Sequence, residues 1–108
     1  MNLFTDLPAL SAGEAVEAIA AADKTQIERI VSPPGTASPE GFWYDQSRAE
    51  WVAVLAGSAG LLFQGDPEPR HLRAGDHILI AAHCRHRIAW TDAEVPTIWL
   101  AVHFANAE

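Results

Sequence analysis

Glu50 and His86 are the two side chains best placed to do chemistry together. Each sits in a short alternating segment tied at fixed spacing to a glycine turn. The first segment is Glu50-Trp51-Val52-Ala53-Val54-Leu55-Ala56-Gly57. The second runs from Gly75-Asp76-His77 through Ala81-Ala82-His83-Cys84-Arg85 to His86. Strand alternation puts Glu50 on the face of Val52 and Val54, and an apolar face points inward. His86 shares a face with Ile88 and Trp90 in the same way. A carboxylate buried alone costs several kcal/mol. A metal ion, or His86 in its cationic form, would supply the partner that Glu50 needs.

The other chemically capable residues divide into candidates and bystanders. His83 and His86 are separated by two residues, so on an extended strand they face opposite sides. Joint ligation would require a turn between them, and Cys84 lies at that place; residues of this kind also serve to cap loops or line a rim. On the last strand, Trp99, Ala101 and His103 share one face, and Ile98, Leu100, Val102 and Phe104 share the other. The aliphatic face reads as core, which puts His103 outside or at an interface. His71 and His77 read as surface residues. Trp43, Trp51, Trp90 and Trp99 suit core and interface packing, which aromatics dominate. They also suit a pocket wall, with Tyr44, Asp45, Gln46, Glu50 and His86 as its convergent polar groups. No glycine-rich phosphate loop, nucleophile elbow or paired-cysteine motif is present.

These residues need elements to hold them. Gln26 to Val31 alternates as a strand. The proline- and glycine-rich stretch Ser32 to Gly41 is a loop. Short strands then follow near Phe42–Tyr44, Glu50–Ala56, Ala59–Gln64, Arg70–Leu72, His77–Ile80, His86–Trp90 and Thr97–Phe104, with turn signals between them. Many short, regularly spaced strands mean a sandwich or a closed barrel. At the N-terminal end, Ser11-Ala12-Gly13-Glu14 reads as a capping box, which predicts a short helix from about Ala12 to Ala22. The expected organisation is an N-terminal segment over 1–24 with that helix packing on a barrel over 25–108.

Length and charge set the remaining bounds. A chain of 108 residues makes one domain, and 49% hydrophobic residues exclude a disordered chain. One cysteine excludes an internal disulfide and fits a reducing compartment. The start Met1-Asn2-Leu3-Phe4-Thr5-Asp6 has no basic or long apolar run, so a signal peptide is not expected and a cytoplasmic location is. A formal net charge of −7 argues against nucleic acid and against an anionic membrane face.

The two glycine-linked segments together resemble the paired motifs of the cupins, over roughly Ile27 to Phe104. The likeness is to small single-domain bacterial members with the type-2 conserved barrel. It implies an all-β, antiparallel jelly-roll barrel whose lumen usually holds a metal on three histidines and one glutamate. Glu50, Gly57, Gly75 and His86 match that pattern. Counting back from Glu50, the two histidine positions fall on Trp43 and Asp45; Ala81, His83 and Trp90 depart from the second motif. The expected metal set is therefore Glu50 and His86, with Asp45 as third ligand and His83 as a weaker alternative. One imidazole with two carboxylates suits manganese or iron(II), and zinc tolerates the mixture. Trp43, Tyr44, Gln46 and Trp90 would wall the ligand pocket. The expected protein is a small-molecule-binding cupin with a degenerate divalent-metal site. Its rivals are a metal-dependent oxygenase or isomerase and a metal-free sensing or structural module. A homodimer is expected through apolar surface around Trp51 and Trp99.

Overall fold

A computed structural model describes residues 2–9 and 13–105. Eight strands form two antiparallel sheets. They are β1 (Ala15–Ala22), β2 (Thr25–Ser32), β3 (Ala49–Ala56), β4 (Ser58–Phe63), β5 (Arg70–Arg73), β6 (His77–Ile80), β7 (His86–Thr91) and β8 (Thr97–Phe104). The larger sheet has the order β1-β2-β8-β3-β6 and the smaller β5-β4-β7. Between them lies a core of Val52, Val54, Ala59, Leu61, Phe63, Leu72, Ile80, Trp99 and Ala101. Among the described residues there is no helix, and so none long and apolar enough to cross a membrane.

The helix expected near the N-terminus is a correction. Ala15 to Ala22 is a strand paired antiparallel with β2, from Ala15 opposite Val31 to Ala22 opposite Thr25. Asp23-Lys24 closes this hairpin, with Asp23 at φ +49°, a backbone state that aspartate tolerates better than most residues. Alanine is the strongest helix former, but propensity is a weak preference that pairing along the free edge of β2 outweighs. Ser11 and Ala12 of the expected capping box lie outside the described residues. The division expected between residues 24 and 25 coincides with the turn of the hairpin.

The two faces of β8 are also reversed relative to expectation. Glu50 lies opposite His103, Val52 opposite Ala101 and Val54 opposite Trp99. That register turns Trp99, Ala101 and His103 into the lumen, and all three are buried. Leu100, Val102 and Phe104 face outward and are half-buried. The outer face is apolar because it too is partly covered. Arg29, on that face of β2, donates to Glu17 Oε1 at 2.8 Å and to the carbonyls of Thr5 at 2.7 Å and Asp6 at 3.0 Å. Its planar fork thereby holds the N-terminal segment against the sheet.

Candidate functional site

A cavity of about 130 Å³ opens between the sheets. Its apolar wall comes from Val52, Leu61, Ile80, Ile88 and Trp99, among others. Its polar lining is Glu14, Glu28, Tyr44, Gln46, Glu50, His86 and His103. Alternation explains the convergence. Glu28 and Ile30 on β2, Glu50 and Val52 on β3, and Trp99 and His103 on β8 all project to one side.

Glu50 sits at the centre with its side chain only 9% exposed. Its Oε1 is 3.8 Å from His86 Nε2, and its Oε2 is 3.9 Å from His103 Nε2. Both gaps are too long for a hydrogen bond. Each imidazole is engaged elsewhere. His86 Nδ1 donates to the carbonyl of Cys84 at 2.8 Å, and a carbonyl can only accept, so the proton is on Nδ1. The neutral ring then presents the Nε2 lone pair to the cavity. His103 Nε2 donates to Glu28 Oε1 at 2.9 Å, and the other Glu28 oxygen accepts from Gln26 Nε2 at 2.8 Å. Glu28 is thus fully partnered. Glu50 makes no side-chain hydrogen bond among the described residues.

Electrostatics follow from this placement. Burial pushes the Glu50 carboxyl above its usual range; His103 opposes that, and the charges of Glu28 and Glu14 add to it. Burial also pulls the His86 imidazole down, only partly offset by its bond to Cys84. Tyr44 is pushed up to about 12, first by burial and then by the negative charges of Glu14 and Glu50. It remains a neutral phenol. Its ring stacks on His86 with centroids 5.3 Å apart, and Phe63 packs against His86 as well, at 6.1 Å.

The segment before β3 lies one residue away from the expected register. Tyr44 forms a single bridge with His86, donating to its carbonyl at 2.7 Å. Tyr44 and Gln46 therefore enter the lumen, and Trp43 and Asp45 do not line it. Trp43 packs outside beneath the guanidinium groups of Arg85 and Arg87, about 6 Å away. Asp45 binds His83 Nδ1 at 2.8 Å in an exposed pair. The turn needed at His83 does form, with φ +61°, but it directs the ring outward. The His83 amide also donates to the Gln46 carbonyl at 2.7 Å, so this turn fixes where Gln46 enters. Trp90 leaves the lumen for a different reason. A bulge between β4 and β7 pairs Gly60 with Trp90 but Leu61 with Ile88, so the alternation breaks at Ala89. The indole lies over Gly60 and against His71 on the outer surface.

The sequence matches the family described as Cupin domain over residues 29–103. The chain belongs to the cupins. A solved cupin-like structure from Ralstonia eutropha JMP134, provisionally named a mannose-6-phosphate isomerase, is 49% identical. The match covers 98% of this chain and 97% of that one, with a TM-score of 0.93. A cupin superfamily protein from Desulfitobacterium hafniense DCB-2 is 19% identical over 93% of this chain and 84% of that one, with a TM-score of 0.74. A cupin with a double-stranded β-helix fold from Methanocaldococcus jannaschii is 17% identical over 93% and 87%, with a TM-score of 0.71. These two share the fold alone. The chain matches none of the curated proteins.

Cupin lumens usually carry a metal, so the donors here can be tested for fit. Glu50 and His86 converge. Asp45 is turned away to His83, and His103 Nε2 holds a proton shared with Glu28. Among the described residues no group of three or more histidine, cysteine, aspartate or glutamate side chains is arranged to hold a metal ion. The histidine and carboxylate donors as they stand form no such group, and Tyr44 and Gln46 add neutral oxygens to the same lining. His103 and Glu28 are the site residues that sequence reasoning missed. His103 is the lone ionisable residue on the face it shares with Trp99 and Ala101, the same signal that singled out Glu50, whereas Glu28 shares its face with Gln26, Ile30 and Ser32 and carries no such signal.

Proposed function

We propose that this cupin binds a small molecule in its lumen, without a metal, through Glu50, His86 and His103. One observation carries the reading. A nine-tenths buried carboxylate, free of hydrogen bonds, faces a cavity between two imidazoles. Such a group is costly to keep unless water or a ligand occupies the space in front of it. The volume is near that of cavities known to accept a benzene-sized molecule.

The name of the 49% identical relative suggests a sugar phosphate as substrate. The lumen argues against carrying that over. Its lining contains Glu14, Glu28 and Glu50 and no lysine or arginine, so a phosphate dianion would meet repulsion and find no permanently charged partner. The rival reading is a divalent metal on Glu50 and His86. It draws support from the Nδ1 bond to Cys84, which orients His86 as metal-bound histidines are oriented.

The test is a thermal-shift screen of compounds about the size of benzene, run beside elemental analysis of untagged protein. Binding compounds should raise the melting temperature of the wild type but not of Leu61→Trp, which fills the cavity. Shifts that persist in the filled variant refute a lumen site. Stoichiometric iron, manganese or zinc lost on His86→Ala would establish the metal reading instead.

A further inference from the structure

We infer that the lumen ligand is a small organic ammonium compound with an apolar body, an inference that rests on the small-molecule reading above. The argument begins with protons. Glu50 as a carboxylate is acceptor-only, and His86 presents an acceptor lone pair at Nε2 because its Nδ1 proton is committed to Cys84. Two acceptors thus face each other across 3.8 Å with no donor between them. A primary ammonium group brings three N–H donors to that point.

Charge favours the same occupant. Glu28 and Glu14 lie in the same lining as Glu50, with no lysine or arginine to balance them. Low-dielectric walls concentrate the field of such a cluster at the cavity. Shape completes the assignment. Leu61 and Ile88 of the smaller sheet face the acids, and with Val52 and Ile80 beside Glu50 they form an apolar wall suited to a short hydrocarbon chain. A neutral alcohol would satisfy the acceptors less fully, and an anion would satisfy neither.

The experiment is an NMR chemical-shift titration of the labelled chain with butylammonium chloride, 1-butanol, sodium butyrate and zinc chloride. Butylammonium should saturate shifts at the lumen positions of β3 and β8. The alcohol should bind about tenfold more weakly or worse, and butyrate should not saturate. Glu50→Gln should lower ammonium affinity about tenfold or more while the rest of the spectrum is retained. Should that variant unfold, Glu14→Gln at the mouth carries the same test, with an expected loss of about threefold. Alcohol or butyrate binding as tightly as the ammonium overturns the charge assignment and leaves the small-molecule reading standing. Zinc binding that depends on Glu50 and His86 and excludes butylammonium overturns it in favour of a metal. Lumen shifts from none of the probes reject this inference and the reading beneath it.

Discussion

Replacing Glu50 with glutamine should stabilise this protein at neutral pH. A buried charge normally acts through its partners, and Glu50 has none within hydrogen-bond distance. Its nearest cation-capable atoms are 3.8 and 3.9 Å away. The penalty for a buried, unbonded carboxylate is several kcal/mol before compensation. The two imidazoles and water admitted by the cavity offset part of that. Glutamine keeps the shape, removes the charge and offers an N–H to His86 Nε2. The net gain at pH 7 should be about 1–2 kcal/mol. For a chain of 108 residues, that is a rise of roughly 5–10 °C in Tm.

The pH dependence supplies the sharper check. Burial raises the folded-state pKa of Glu50 above its ordinary value of 4.5. The folded state therefore binds this proton more tightly than the unfolded one. The resulting stability is fully present below 4.5 and is lost as pH rises through the folded pKa. His86 works in the opposite sense. Its folded pKa lies below 6.5, so its contribution is present above 6.5 and is lost as pH falls through the folded value. A melting curve of the wild type alone mixes the two. The difference between wild type and Glu50→Gln isolates the carboxylate and should widen in favour of the variant as pH rises from 4.5. Calorimetry between pH 4.5 and 8 measures it. A variant less stable than wild type at pH 7, with a difference that does not move in its favour as pH rises from 4.5, would show that Glu50 sits in a stabilising ion pair and that this reasoning is wrong.

Gly60→Ala should cost about 1–3 kcal/mol, because its new Cβ would stand 2.1 Å from Trp90 Nε1 on a rigid indole; thermal denaturation checks it, and Trp90→Ala in the same chain should relieve most of the loss. We propose a homodimer through the outer face of the larger sheet rather than around Trp99, which is buried at 3% exposure. Ile27, Val102, Trp51 and Leu79 form one row across β2, β8, β3 and β6, with Leu79 60% exposed, so sedimentation should give a dimer that Leu79→Glu converts to monomer. Tyr44→His with Gln46→His should complete a three-histidine, one-carboxylate set with Glu50 and His86. Zinc affinity should rise by about a hundredfold in competition titration, whereas Trp43→His with Asp45→His should leave it unchanged.

The barrel was legible because its strands are short, alternating and punctuated by glycine and proline turns. Glu50 and His86 were legible because each interrupts an apolar face. The misreadings arose where local pattern had to compete with pairing between distant segments. Ala15 to Ala22 carries helix-favouring alanines behind a serine–glutamate spacing, and only β2 beside it makes it a strand. Both faces of β8 are apolar, so alternation could not say which one turns inward. The choice was made by Glu50 lying opposite His103, a contact between residues far apart in sequence. Trp90 was lost to a bulge, which no periodic pattern announces.

The slip at Trp43 to Gln46 has the largest consequence for function. This stretch is not a strand but a loop pinned by one bridge at Tyr44 and one amide at His83. Side chains there alternate all the same, so an error of one residue exchanges the entire set that faces the lumen. With Trp43 and Asp45 inside, the lumen would hold a further anionic oxygen donor, and a metal would follow from the chemistry. With Tyr44 and Gln46 inside, it gains a neutral phenol and a neutral amide, and the Asp45 carboxylate is satisfied outside by His83. Glu50 is then left without a side-chain hydrogen bond among the described residues, the nearby His103 proton being given to Glu28. The lumen has no lysine or arginine in either register, and the position of one loop residue decides only whether a further carboxylate or two neutral groups stand beside Glu50.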